Sequence, residues 1–183
     1  MSDAKSVDAK MSDAVEAMDR EFNHIRTGRA STSLVERISV DYYGTQTPLN
    51  QLASISVPES TTIVIQPWDR GVLGAIEKAI QKDDIGITPN SDGTVVRLNI
   101  PPLTEERRKD LVKQVHKRME EAKVEIRNHR RDAIDALRKQ EKAGEIGSDE
   151  AHREQEELEK LTHKWTDEVD RVGAAKEAEV LEV

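Results

Sequence analysis

The chain contains no cysteine, and this absence excludes disulfide bonds, thiolate metal sites and a cysteine nucleophile. Aromatic residues make up only 3% of the sequence, so any core must be built from Ile, Leu, Val, Ala and Met. No apolar run approaches the roughly 18 residues that a membrane-spanning helix needs. The first residues also lack the apolar core of a signal peptide. These absences predict a soluble, cytoplasmic protein with no membrane partner.

Patterns typical of catalysis are missing as well. The sequence has no phosphate-binding loop and no Gly-x-Gly-x-x-Gly motif, and its five histidines show no metal-ligand spacing. We therefore expect a protein that is not an enzyme and that has neither a cofactor nor a metal. His129 falls among apolar positions, and we interpret it as a packing residue rather than a functional one.

The most prominent positive feature is a stretch from Thr104 to about Lys142 that contains no Gly and no Pro. Apolar or small residues recur in it at alternating steps of three and four, which predicts a helix with one buried seam. These positions are Val115, Met119, Ala122, Ile126, Ala133 and Leu137, with His129 in the slot between Ile126 and Ala133. Such a helix would be about 58 Å long. Thr104 is expected to cap it.

Two further segments, 3–26 and 148–179, show the same alternation and predict two more long helices. We expect Gly28 to cap the end of the first and Ser148 to cap the start of the last. The short link at 144–147 predicts that the second and third helices are antiparallel neighbours. Together the three helices predict an antiparallel bundle.

The intervening residues have a different pattern, with short alternating or β-branched runs separated by turn residues. We predict strands over 37–43, 52–58, 61–66, 85–88 and 95–100, a helix over 70–83, and a turn over 90–93. Short strands with one helix indicate a small α+β, β-rich domain.

The predicted architecture therefore has two domains. Residues 1–28 and 104–183 form the three-helix bundle, and residues 31–101 form the inserted α+β domain. The chain crosses between them twice, near 27–31 and near 101–104, which makes a two-stranded hinge. Glycine loosens one crossing, and the pair Pro101–Pro102 stiffens the other.

Charge is distributed unevenly along the chain, whose formal net charge is −8. Residues 1–103 hold 10 Lys/Arg and 14 Asp/Glu, a net of −4. Residues 104–131 hold 10 and 6, a net of +4, and residues 132–183 hold 8 and 16, a net of −8. Because salt screens fields beyond about 10 Å, one basic segment can bind an anion on an acidic protein.

The basic segment gives the central helix a cationic face. Its members are Lys109, Lys113, Lys117, Lys123, Arg127, Arg130 and Arg131. One interpretation is a solvated surface whose lysines are balanced by nearby glutamates. The other is phosphate binding, which the arginine cluster favours because arginine makes bidentate phosphate contacts. We expect Trp68 and Trp165 to be packing anchors, so any RNA contact would be to phosphates rather than to bases.

Several motifs, taken in order, resemble the ribosome recycling factor family of bacteria and organelles. They are Ile25–Ser31, Tyr42–Thr45, Pro48–Ala53, Glu77–Ile80, Pro89–Ser91, Pro101–Leu111 and Arg127–Asp132. The likeness covers essentially the whole chain.

The resemblance implies a translation factor without catalytic activity. Such a factor binds the post-termination ribosome through large-subunit rRNA and acts with elongation factor G. Hydrolysis of GTP by that partner drives the hinged domain, and the ribosome splits into subunits for a new round of initiation. We expect a monomer that does not bind DNA. The alternative is a non-ribosomal helical adaptor that binds partner helices.

Site residues follow from the resemblance and from the basic face. The resemblance implies rRNA contacts by Arg108, Arg127, Arg130 and Arg131, and the basic face adds Lys109 and Lys123. The hinge residues are Thr27, Gly28, Arg29, Pro101 and Pro102, of which Arg29 matches the family's hinge arginine.

Overall fold

A computed structural model of the protein describes residues 4–83 and 85–182. They form two compact units. The helical unit contains the residues up to Thr27 and those from Thr104 onward, and the inserted unit is Gly28–Leu103. The described residues form four α-helices, which are α1 (Ala4–Asn23), α2 (Leu73–Lys82), α3 (Glu105–Lys142) and α4 (Ser148–Leu181). Within the described ranges, no helix is both long and apolar enough to cross a membrane.

Salt bridges give the direction of α3 relative to α4. His116 near the start of α3 lies 2.7 Å from Glu177 near the end of α4. Two turns along α3, Lys123 lies 2.6 Å from Asp170, which is two turns earlier in α4. The two helices are therefore antiparallel, as the short link predicted.

Polar contacts likewise align α1 with α4. The indole Nε1 of Trp165 donates to Asp8 Oδ1 at 2.7 Å, and beyond α1 the hydroxyl of Thr27 donates to Glu179 Oε1 at 3.4 Å. Partners advance along both helices together, so α1 runs parallel to α4 and antiparallel to α3.

The core of the helical unit follows the predicted stripes. It includes Val7, Met11, Val15, Met18, Phe22, Val115, Ala122, Ile126, Ala133, Leu137, Leu158 and Val169. Gly173 also faces this core, because a Cβ built there would collide with the side chain of Met119. The absence of a side chain at Gly173 lets α3 and α4 approach closely.

The predicted helix ends are partly correct. Thr104 caps α3, and its hydroxyl accepts from the backbone N–H of Arg107 at 3.1 Å. The prediction that Ser148 caps α4 is wrong. Gly147 takes the capping position with extended backbone and no side-chain cap, so Ser148 already belongs to the first turn.

The end of α1 also differs from the prediction. The helix stops at Asn23, so Gly28 lies beyond the turn that follows it and does not cap it. Gly28 instead adopts a left-handed φ of +75° at the first crossing. A Cβ there would lie 3.2 Å from the backbone nitrogen of Leu103, so the first and last residues of the inserted unit are adjacent. Only glycine combines this φ with so close an approach at no steric cost.

The inserted unit contains two antiparallel sheets. Strands β1 (Ser39–Tyr42) and β2 (Thr45–Pro48) form a hairpin. A second sheet has the order β3-β4-β6-β5, all antiparallel. Its strands are β3 (Ala53–Glu59), β4 (Thr62–Pro67), β5 (Asn90–Ser91) and β6 (Val96–Asn99).

One continuous apolar core holds the inserted unit together. The sheet contributes Ile63, Ile65, Val96 and Leu98, and α2 contributes Ile76 and Ile80. These residues alternate on the strands and are spaced by four on the helix, as the two periodicities require.

The strands of the inserted unit differ from the prediction in three places. Residues 85–88 contain no strand, and β5 lies at Asn90–Ser91, where we predicted only a turn. Ile85 is buried and Ile87 is partly buried. Their apolar alternation therefore reflects packing of an irregular segment on the core rather than pairing within a strand. The hairpin strand β2 had no apolar alternation and was not predicted.

Candidate nucleic-acid interface

Helix α3 separates a buried seam from an exposed cationic face. Leu111, Val115, Ala122, Ile126, Ala133 and Leu137 are buried in it. Lys113, Lys117, Arg127 and Arg131 are exposed on the side away from that seam. The Gly- and Pro-free sequence makes α3 continuous over its 38 residues, so these cations are held on one rigid element.

Three of the candidate cations already form ion pairs with acidic neighbours. Lys123 reaches across to Asp170 of α4, and its side chain is only 24% exposed. Lys109 lies 3.1 Å from Glu105. The guanidinium of Arg127 folds back along α3, where its Nη2 donates to Glu120 Oε1 at 2.6 Å. Lys123 thus joins α3 to α4, and Arg127 must exchange its carboxylate partner to bind an anion.

Arg130 and Arg131 differ from these three. In the described part of the chain, neither side chain has an ion pair or a side-chain hydrogen bond. Arg131 is exposed and Arg130 is half-buried. The full donor set of both guanidinium groups is therefore available to an external acceptor. Arg108, at the other end of α3, is half-buried and already has a partner within the chain.

His129 lies at the edge of the seam. Its side chain is 26% exposed, and Nε2 lies 3.7 Å from Glu125 Oε1. His129 is therefore a residue at the boundary of the bundle, with one side towards the core and an acidic neighbour at the surface.

The two tryptophans have different environments. Trp165 is partly buried and bonded to Asp8, so it is a packing anchor as predicted. The same prediction is wrong for Trp68, which is 69% exposed in the inserted unit. The backbone N–H of Trp68 extends the sheet by donating to Leu52 O at 3.1 Å, while its indole projects away from the core.

The residues at the two crossings are held by their neighbours. Thr27 is buried and donates to Glu179, which also pairs with the buried Lys176 at 3.3 Å. Arg29, Pro101 and Pro102 are exposed, and Arg29 has a partner within the chain.

Both ends of the inserted unit attach to one turn. The N–H of Ala30 donates to Ser60 O, and the N–H of Ile100 donates to Thr61 O, both at 2.7 Å. Ser60 and Thr61 connect β3 to β4. The chain therefore enters and leaves the inserted unit at the same end, which is the end where β4 begins.

An adaptor for partner helices would need an exposed apolar groove. On the described helices of the helical unit, the large apolar side chains that are exposed are Val124 on α3 and Leu181 at the end of α4. Two isolated residues do not form a groove. Across the described ranges, no group of three His, Asp or Glu side chains is arranged to hold a metal ion.

Fold and charge together define a class of protein. It has a long-helix bundle with one cationic helix, and a small β-rich unit inserted into the chain between two of its helices. A sequence model of the ribosome recycling factor family matches residues 18–181. The chain belongs to the ribosome recycling factor family.

Relatives match over nearly their whole length. The chain is 58% identical over 173 residues to the ribosome-recycling factor of Synechocystis, covering 94% of this chain and 95% of the relative. It is 56% identical over 174 residues to that of Gloeothece citriformis, covering 95% and 96%. The relatives are factors of protein biosynthesis that act in ribosome recycling.

Solved structures agree in fold. A solution structure of a ribosome recycling factor superposes with a TM-score of 0.77 at 46% identity, covering 98% of this chain and 96% of that one. A second structure shows the Thermus thermophilus factor and Escherichia coli elongation factor G bound to the E. coli post-termination complex. Its TM-score is 0.61 at 41% identity, and it covers 97% and 96% of the two chains. These matches confirm the predicted bundle with its β-rich inserted domain.

Proposed function

We propose that this protein binds the post-termination ribosome in the cytoplasm and, as a monomer, splits it into subunits together with elongation factor G. GTP hydrolysis by that partner supplies the energy, and the chain itself contributes binding and transmission of force. Full-length similarity to ribosome recycling factors, one of them solved with elongation factor G on such a complex, carries this proposal.

Helix α3 supplies the contact to large-subunit rRNA. Arg130 and Arg131 are the primary phosphate ligands, because both guanidinium groups are unpaired in the described structure. Arg127 and Lys109 join them once their carboxylate partners are displaced, and Arg108 contributes at the other end of the helix. Phosphate contacts position the factor without reading base sequence.

The two crossings form the hinge. Gly28 supplies a conformation that other residues adopt only with strain, and Pro101–Pro102 limit the freedom of the returning chain. Arg29 and the bonded Thr27 set where the flexible part begins.

Sedimentation of post-termination ribosomes tests the function. We expect conversion of whole ribosomes to subunits only when the protein, elongation factor G and GTP are all present. A non-hydrolysable GTP analogue should leave the ribosomes whole. Splitting without elongation factor G, or no splitting with the complete set, would contradict the proposal.

A further inference from the structure

The tip of the β1–β2 hairpin breaks a local rule of backbone geometry. Tyr43 and Gly44 connect the strands, with φ of +48° and +87°. Such two-residue turns normally carry Asn, Asp or Gly first, because a bulky side chain is strained at positive φ. Tyr43 is nevertheless placed there, and its side chain is 73% exposed. The strained backbone at Tyr43 therefore places an aromatic ring in solvent, where the ring adds nothing to the apolar core.

A second segment fixes that ring in place. The hydroxyl of Tyr43 donates to Asp69 Oδ2 at 2.9 Å, and Asp69 Oδ1 accepts from Gly71 N–H at 2.8 Å. Asp69 thus ties the hairpin tip to the connection between β4 and α2. Strained conformations that their surroundings enforce cluster at functional sites.

The same connection carries the exposed Trp68 and the exposed Arg70 on either side of Asp69. Trp, Tyr and Arg are the three residue types most enriched at the energetic centres of protein–protein interfaces. Two of the chain's five aromatic residues are therefore kept in solvent on one preorganised patch, although aromatics are only 3% of the sequence. We define the aromatic patch as Tyr43, Trp68 and Arg70.

The aromatic patch lies at the end of β4 opposite to the crossings. The crossings attach beside Ser60 and Thr61, at the start of β4. Trp68 follows the end of that strand, so it lies about 20 Å away at 3.3 Å per residue. Along β4, this end is the farthest from the hinge, so a force applied here has the longest lever arm.

Charge favours a protein over RNA as the occupant. Residues 28–103 hold 6 Lys/Arg and 8 Asp/Glu, a net of −2, against +4 for residues 104–131. An RNA strand stacked on these rings would also need phosphate ligands, and Arg70 is the single cation that the patch provides.

We propose that the aromatic patch is the surface through which elongation factor G engages the inserted unit. This inference rests on the proposed function. The patch fits a partner surface that offers an apolar pocket to the Trp68 indole and a carboxylate to Arg70. Asp69 is a positioning residue that acts through Tyr43.

Full-length variants test the proposal in the splitting reaction. Trp68→Ala should raise the concentration of elongation factor G that gives half-maximal splitting by about tenfold or more, as truncation of an interface centre does. Affinity for the ribosome without elongation factor G should stay within about twofold, because rRNA binding belongs to α3. Tyr43→Phe should have a smaller effect in the same direction, because it removes only the bond to Asp69.

Val57→Ala is the matched control. Val57 is an exposed apolar residue of the same unit on β3, whose pairing with β4 places it near the crossings, and it should leave both quantities unchanged. Circular dichroism and thermal unfolding check that every variant is folded.

Three outcomes would overturn the proposal. Normal dependence on elongation factor G in Trp68→Ala would remove the docking role. A loss of ribosome affinity without elongation factor G would identify the patch as a surface that contacts the ribosome itself. A wild-type dimer in ultracentrifugation that Trp68→Ala dissociates would identify a second copy as the occupant. If the wild-type protein itself fails to split ribosomes, the proposed function fails instead, so the two failures can be distinguished.

Discussion

Single side chains in this protein are placed by contacts that differ between its two units. In the helical unit, Trp165 and Lys123 face neighbouring helices and are held by Asp8 and Asp170. In the inserted unit, the bond from Tyr43 to Asp69 holds a ring in solvent. The polar contacts of the helical unit join helices around its core, whereas the bond from Tyr43 to Asp69 fixes an exposed side chain on the surface of the inserted unit.

The bond between Tyr43 and Asp69 predicts an altered titration. The carboxylate accepts a hydrogen bond only from the protonated phenol, and its negative charge opposes ionisation, so the pKa of Tyr43 is raised above its ordinary value. The tie at the hairpin tip is therefore intact below the ordinary tyrosine pKa and is lost as pH rises through the raised one.

Ultraviolet titration of phenolate absorbance in a Tyr42→Phe background measures this pKa, since the chain has only two tyrosines. Asp69→Asn removes the charge and should return the pKa of Tyr43 toward its ordinary value. An unchanged pKa in Asp69→Asn would show that the bond does not form in solution.

Among the secondary-structure elements, α3 combines the most roles. Its buried seam holds the bundle together, Thr104 begins it next to the second crossing, and its outer face carries the cations. One continuous helix therefore couples the place where the chain leaves the bundle to the proposed rRNA contacts.

The unpaired arginines of α3 predict a specific loss of binding. Arg130→Ala with Arg131→Ala should weaken binding to the large subunit and flatten the dependence of log affinity on log salt by about 0.7–0.9 per lost phosphate contact. Arg127→Ala should weaken binding less than Arg130→Ala or Arg131→Ala alone, because the guanidinium of Arg127 must first leave Glu120.

Arg138→Ala with Arg153→Ala provides a control with the same change in charge. Both residues are exposed, on α3 and α4 respectively, outside the basic segment. Equal affinity losses in the two double variants would mean that net charge, and not the arginine pair, governs binding.

For the whole molecule, the proposed function depends on two units joined by two short crossings. The inserted unit has its own continuous core and closes on itself where Gly28 meets Leu103. We therefore expect each unit to move as a body, with conformational change confined to the crossings.

Gly28→Pro tests that division of roles. Proline requires φ near −65°, whereas Gly28 has +75°, so the first crossing must change its path. We expect ribosome affinity to stay within about threefold, because α3 is untouched, while splitting with elongation factor G slows by about tenfold or more.

The control is Gly144→Pro in the link between α3 and α4, where φ is +74°. It introduces the same backbone conflict away from the crossings and should leave the splitting rate of the folded protein unchanged. Normal splitting by Gly28→Pro would count against hinge motion as the working step.

Periodicity and charge along the chain were sufficient to predict the three helices, their antiparallel packing, the inserted β-rich domain and the basic segment, because each of these depends on neighbours a few residues away. Motif resemblance added the family. Helix ends and weak strands were less predictable: Gly147, not Ser148, caps α4, and Asn90–Ser91 pair with β6 through a hydrogen-bonding partner that no local pattern reveals.

The fold separated the cations from one another and revealed the aromatic patch. In sequence, Lys123, Arg127 and Arg130 all belong to one basic face. In the fold, the first is bonded to α4, the second to its own helix, and the third to neither. In sequence, Trp68 could not be distinguished from a core residue. In the fold, its backbone N–H bonds to Leu52 O while its indole is exposed. Which side chains remain available to a partner depends in part on residues distant in sequence, such as Asp170 for Lys123, and only packing brings those together.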